Sequence, residues 1–143
     1  MVSENSSIKR FAHSVGQNWY HIVLIPKGRF PVFQWVELKI LAEQAFRWVC
    51  ERHKVEVFAM EVMPDHVHLF VSCPPVYSIR KLVRILKGGS SYYIRSKYPS
   101  LKKYKHLWSG GLMYRSVGSV NADTVKRYIE ESNDWAKATR RFN

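Results

Sequence analysis

Val55-Glu56-Val57-Phe58-Ala59-Met60-Glu61-Val62, then Met63-Pro64-Asp65, then His66-Val67-His68-Leu69-Phe70-Val71-Ser72: two β-rich runs stand on either side of a short turn that contains proline. β-Branched and aromatic side chains favour extended backbone and Pro64-Asp65 interrupts it, so residues 55–72 are predicted to form a hairpin. Upstream, from about Gln34 to His53, Val36, Ile40, Leu41, Ala45-Phe46 and Val49 recur at steps of three and four, the period of an amphipathic helix. Downstream, Ser78 can cap a second helix carrying Ile79, Leu82, Val83, Ile85 and Leu86. Gly88-Gly89 is expected to loosen that helix before it resumes through Tyr92, Tyr93 and Ile94. Farther out, Tyr20 to Ile25 reads as a strand halted by Pro26, and Leu112 to Val117 as another. A last helix starts at Asn121 or Asp123 and runs to about Lys137.

The order is therefore strand, helix, strand, strand, helix, strand, helix. Adjacent hairpin strands make the sheet mainly antiparallel, and the helices are expected to cover one face of it. This is an α+β sandwich of the ferredoxin-like kind. Residues 1–143 are read as one domain, without internal repeat or long linker, and residues 1–10 as polar and loose.

His66 and His68 lie two apart in a strand, so both side chains leave the same face while Val67 points into the packed side. Two imidazoles so placed can converge on one cation, although such a pair reads equally well as polar surface. The Pro64-Asp65 turn puts the pair at the end of a sheet, where sites are commonly built. Two nitrogens do not complete a coordination shell. A site made from them needs oxygen ligands and water, and an open site suits catalysis better than structure.

Lys and Arg total 23 against 11 Asp and Glu, a net charge of +12 that calls for a polyanionic partner. No apolar run reaches the roughly 18 residues that span a bilayer, and the stretch Met1 to Phe11 lacks the apolar core of a signal peptide. Nucleic acid is thus favoured over membrane. Cys50 and Cys73 fall in core-like positions without a CxxC, which fits small apolar residues in a reducing cytoplasm. Arg80, Lys81, Arg84, Lys87 and Arg95 interleave with Tyr92 and Tyr93, a pattern in which cations bind phosphate and flat rings stack on unpaired bases. On periodicity alone Tyr128 is a tyrosine at the edge of the core, and its neighbours Lys126 and Arg127 either meet phosphate or form a solvated face.

Three separated motifs change the weight of these readings. Glu61-Val62-Met63-Pro64-Asp65-His66-Val67-His68-Leu69, Leu107-Trp108-Ser109 with Tyr114 and Gly118, and Thr124-Val125-Lys126-Arg127-Tyr128-Ile129-Glu130 follow one another after a strand with Tyr20-His21 and Pro26-Lys27. Over roughly residues 18 to 133 the chain resembles the one-tyrosine HUH transposases of the insertion sequence 200/605 family. The resemblance implies the HUH variant of the ferredoxin-like fold, His66 and His68 as metal ligands, and Tyr128 as nucleophile. It further implies a homodimer with active sites shared between subunits, acting on single-stranded DNA and on DNA hairpins. In one position the chain departs from the family. The usual glutamine four residues after the tyrosine is Ser132, a short side chain and a poor ligand, which leaves Glu131, Asn133, Glu61 or water to complete the shell.

The implied chemistry is metal-dependent cleavage with Mg²⁺ or Mn²⁺. Tyr128 attacks phosphorus, a 5′-phosphotyrosine forms, and a 3′-hydroxyl reverses the step. A phenol attacks poorly until it is deprotonated, so the metal or a nearby base must favour the phenolate. No nucleotide cofactor is needed, in keeping with the absence of a GxxxxGK[ST] loop. A non-catalytic hairpin-binding protein, or a domesticated relative with the same chemistry, is the alternative. A cyclic-phosphodiesterase-like enzyme would need a second His-x-Thr/Ser motif, which this chain lacks.

Overall fold

A computed structural model describes residues 9–11, 14–16, 18–118 and 120–138, with side chains from 18 to 118 and from 120 to 131. In chain order the elements are β1 (Lys9–Phe11), β2 (Ser14–Gly16), β3 (Trp19–Leu24), α1 (Val36–Arg52), β4 (Val57–Met63), β5 (His66–Ser72), α2 (Ile79–Lys97), β6 (Met113–Val117) and α3 (Ala122–Ala138). Strands β4-β5-β3-β6 form one sheet in that spatial order, every neighbouring pair antiparallel. This is the ferredoxin-like arrangement with one further helix, the α+β class read from the sequence. β1 and β2 pair separately. Lys9 and Arg10 therefore belong to a strand rather than to a loose segment, and residues 1–8 lie outside the described residues.

The hairpin closes where Pro64 interrupts pairing, with Met63 opposite His66 and a bulge between Val57 and Ala59. All seven residues of β5 are buried, so this central strand needs cover on both faces. On one face Ile22, Leu24, Val67, Leu69 and Val71 pack against Phe46 and Val49 of α1 and Leu82 and Leu86 of α2. On the other, Trp19, Phe58 and Phe70 pack against Val125, Tyr128 and Ile129 of α3. The expected one-sided cover is thus corrected: the strands alternate between two apolar sets, and α3 closes over the second.

Ser78 caps α2, its Oγ accepting from Lys81 N at 3.0 Å, and Asn121 Oδ1 accepts from Thr124 N at 2.9 Å at the start of α3. The expected loosening at Gly88-Gly89 does not occur, since α2 is continuous from Ile79 to Lys97. A Cβ at Gly89 would fall 2.5 Å from Val49 Cγ2, so the glycine serves the close approach of α1 and α2. Trp108 Nε1 donates to the buried Ser90 Oγ at 3.0 Å and ties the chain ahead of β6 to α2. Among the described residues no helix is long and apolar enough to cross a membrane.

Candidate active site

Strand alternation places His66 and His68 on the α3 side of β5, while Val67 enters the core of the opposite face. The two imidazoles meet edge to face with centroids 4.8 Å apart. Each is held from behind through Nδ1. His66 Nδ1 lies 2.8 Å from Asp65 Oδ1, and Asp65 Oδ2 accepts from Arg29 Nε at 2.8 Å. His68 Nδ1 lies 3.1 Å from Nε2 of His21, a buried residue of β3 whose ring stacks on Phe70 at 4.4 Å. His66 Nε2 is buried and has no hydrogen-bond partner among the described residues.

Burial dominates the protonation of this group. Desolvation, then the neighbouring His66, lowers His68 to about 3. Desolvation, then His68 and Arg115, lowers His21 to about 3. Burial opposes ionisation of Asp65, but hydrogen bonds and charge from Arg29 and His66 outweigh it and hold the carboxyl below its usual range. His21 and His68 are consequently neutral, the form in which an imidazole binds metal. A stability consequence follows from the sign of the shift. Unfolded histidines take up protons below about pH 6.5, whereas folded His21 and His68 resist until about pH 3. The metal-free protein should therefore lose stability progressively as pH falls from about 6.5 towards 3. Urea midpoints measured in chelator across that range test this, and a flat profile would contradict neutral buried histidines.

α3 brings Tyr128 to the same side of the sheet. Its half-buried ring lies 6.1 Å from that of His21 in a near-parallel stack. The Arg115 guanidinium of β6 stands 4.4 Å from the Tyr128 ring centroid, and that of Arg127 5.1 Å. The tyrosine and the histidine pair thus come together within one chain, whereas the family resemblance implies that they come from two subunits.

Among the described residues no group of three or more His, Cys, Asp and Glu side chains could hold a metal ion. Glu61 of β4 lies opposite His68 in register and so shares its face. Glu131 Oε2 accepts from Arg115 Nη1 at 3.1 Å. The side chains of Ser132 and Asn133 lie outside the described residues. What fits a divalent cation is the pair of imidazoles, with the buried Nε2 of His66 lacking a hydrogen-bond partner among the described residues.

The basic residues divide into two sets. Arg80, Lys81 and Arg84 are exposed on α2, across the sheet from the histidines; Lys126 and Arg127 are exposed on α3. Lys87 Nζ donates to Ser109 O at 2.9 Å and Gly111 O at 2.8 Å, and burial lowers its pKa. Arg95 Nη2 donates to Lys102 O and Tyr104 O. These two cations hold the loop that leads into β6. A cavity of about 520 Å³ is lined by Phe30, Trp35, Leu38, Tyr98 and Tyr104, among others. Neither His66 nor His68 lines it, so this cavity lies apart from the place where the histidines converge.

In sequence and in fold the chain is similar to known transposases. The family profile of IS200-like transposases matches residues 14–132. The ISDra2 transposase TnpA of Deinococcus radiodurans is 35% identical over 120 residues, 80% of this chain and 84% of that protein. The transposase for insertion sequence element IS200 of Salmonella typhimurium is 32% identical over 129 residues, 86% of this chain and 84% of its own. The crystal structure of a candidate transposase from Deinococcus radiodurans R1 superposes with a TM-score of 0.66 at 29% identity, covering 86% of this chain and 96% of that one. A REP-associated tyrosine transposase bound to a REP hairpin gives 0.50 at 15% identity, over 85% of this chain and 67% of that one, a likeness of fold alone.

Proposed function

The chain belongs to the family of IS200-like transposases, and from that membership we propose that it cleaves and rejoins single-stranded DNA through a phosphotyrosine at Tyr128, at ends marked by DNA hairpins. The observation that supports this reading most is the continuous run of rings from Tyr128 through His21 to His68 and His66 on one face of the sheet.

His66 and His68 would hold Mg²⁺ or Mn²⁺, which when bound polarises the scissile phosphate and offsets charge as the bond breaks. Glu61, Glu131 or Asn133 would supply oxygen to the same ion. Tyr128 Oη attacks phosphorus in line with the leaving 3′ oxygen; the phenol loses its proton to solvent and the leaving 3′ oxygen takes one up. The P–O3′ bond breaks, leaving a free 3′-hydroxyl on one strand and the 5′-phosphate on the tyrosine. Attack by another strand's 3′-hydroxyl breaks the P–O bond to tyrosine, joins the strands and returns the phenol. The phosphoester energy is conserved, so no nucleotide cofactor enters. Arg115 and Arg127 flank the tyrosine ring, where their guanidinium groups would meet the phosphate oxygens of the scissile strand. The proposed assembly is a homodimer.

Incubation of the protein with labelled single-stranded DNA carrying the ends of its element, with Mg²⁺ or Mn²⁺, should yield a denaturation-resistant protein–DNA adduct. Hairpin binding without any adduct in either metal would overturn the catalytic reading.

Binding itself should be strongly electrostatic, given the +12 charge. Hairpin affinity is expected to fall by about 0.7–0.9 log unit per phosphate contact for each log unit of added salt. Reversing Arg80, Lys81 and Arg84 together to Glu should weaken binding and flatten that slope, as read by fluorescence anisotropy across a salt series. An unchanged slope would remove α2 from the interface.

A further inference from the structure

We propose that Asp65 and Arg29 are positioning residues that fix the tautomer of His66, placing its proton on Nδ1 and leaving the Nε2 lone pair for a cation. The inference rests on the reading of His66 as a metal ligand. It concerns which way that ligand is set, and by what.

A neutral imidazole carries one proton, and whichever nitrogen donates leaves the other as acceptor. An ionised carboxylate only accepts, so the 2.8 Å contact with Asp65 Oδ1 makes His66 Nδ1 the donor. Asp65 cannot swing away, because its second oxygen receives the Arg29 Nε–H, also at 2.8 Å. The carboxylate is bridged between two donors and its orientation is determined from both sides. His66 Nε2, on the far edge of the ring, is buried without a hydrogen-bond partner among the described residues. A carboxylate behind a metal-binding imidazole both orients the ring and raises its basicity.

The backbone around Arg29 points the same way. Gly28 has φ 67° and Arg29 φ 54°, so a residue bearing a side chain sits in the left-handed region that normally favours glycine. The sharp turn after β3 turns the guanidinium towards the β4–β5 turn, some 36 residues on in the sequence. Such conformations persist where their surroundings hold them, and functional sites are where they gather.

Asp65→Asn tests the arrangement because an amide has the same shape but only one acceptor oxygen for two donors. Arg29, always charged, should take that oxygen, and the amide NH₂ then faces His66 Nδ1 and forces it to accept. Long-range ¹H–¹⁵N spectra of the metal-free protein should show His66 protonated on Nδ1 in the wild type and on Nε2 in Asp65→Asn. The double variant Asp65→Asn/Arg29→Ala frees the amide oxygen for His66 and should return the proton to Nδ1. In the same set Mn²⁺ affinity, read by electron paramagnetic resonance, should drop roughly 10- to 100-fold in Asp65→Asn and recover in part in the double variant, with hairpin affinity unchanged throughout. Wild-type His66 protonated on Nε2, or Asp65→Asn unchanged in tautomer, overturns the proposal. The tautomer is read without metal, so a wild type that binds no Mn²⁺ would sink the metal reading and leave this test standing.

Discussion

Tyr128→Phe should form no covalent adduct and leave single-stranded DNA uncut. The substitution removes one oxygen and keeps the ring, so the stack on His21 and the contacts with the Arg115 and Arg127 guanidinium groups persist. Fold and hairpin affinity should therefore match the wild type, while cleavage falls on the order of a thousandfold or more, as expected when a covalent nucleophile is lost. Eight tyrosines compete for the role, and their positions separate them. Tyr20 and Tyr114 pack edge to face across β3 and β6; Tyr92 and Tyr93 gather around Trp48; Tyr77 meets His53. Tyr128 alone among these reaches the histidine face. Mass-spectrometric mapping of the adduct peptide decides the matter, and an adduct on another tyrosine, or a cleaving Phe variant, would overturn the mechanism.

The same variant examines how subunits share the work. Here α3 closes over its own sheet through Val125, Tyr128 and Ile129. Sharing sites in the proposed homodimer requires this helix to leave that face and dock on the partner's. Mixing Tyr128→Phe with His66→Ala subunits should then restore part of the cleavage, since an exchanged helix brings an intact tyrosine to an intact histidine pair. Absence of rescue, with subunit exchange demonstrated, would confine each site to one chain.

Much of this was legible because it is local. Two-residue spacing set His66 and His68 on one face and Val67 on the other, and the Ser78 cap and the Pro64 turn are short-range devices. What escaped was set by pairing between distant segments. His21 is an ordinary strand residue until the register of β3 against β5 puts it beside His68. Alternation in Trp19-Tyr20-His21-Ile22-Val23 carried that signal, but only once the partner strand was known. Arg29 and Arg115 likewise acquire their roles from contacts across the fold. Charge counting cannot distinguish an ammonium that meets carbonyls, as Lys87 does, from one that faces solvent. Gly89 similarly reads as a helix breaker until α1 approaches within a side chain's width.

His66→Ala and His68→Ala should each abolish metal-dependent cleavage and leave hairpin affinity largely intact, since affinity rests on phosphate contacts. Their effects on stability should differ, and the difference follows from burial. His68 is 0% exposed and shares a hydrogen bond with the equally buried His21, so truncation leaves both a cavity and a buried polar atom short of its partner. That should cost about 2–4 kcal/mol in the metal-free protein. His66 is 7% exposed beside the turn, where Asp65 retains Arg29 after the ring is gone, so its loss should cost less. A cation that binds only the folded protein raises its melting temperature, by an amount that grows with the logarithm of its concentration above Kd. Added Mn²⁺ should therefore stabilise the wild type and neither variant. This thermal readout is independent of DNA and separates a missing ligand from a damaged fold: a variant weakened by packing alone would still respond to Mn²⁺. Full cleavage by either variant, or a wild-type-sized Mn²⁺ shift in both, would remove the histidine pair from the chemistry.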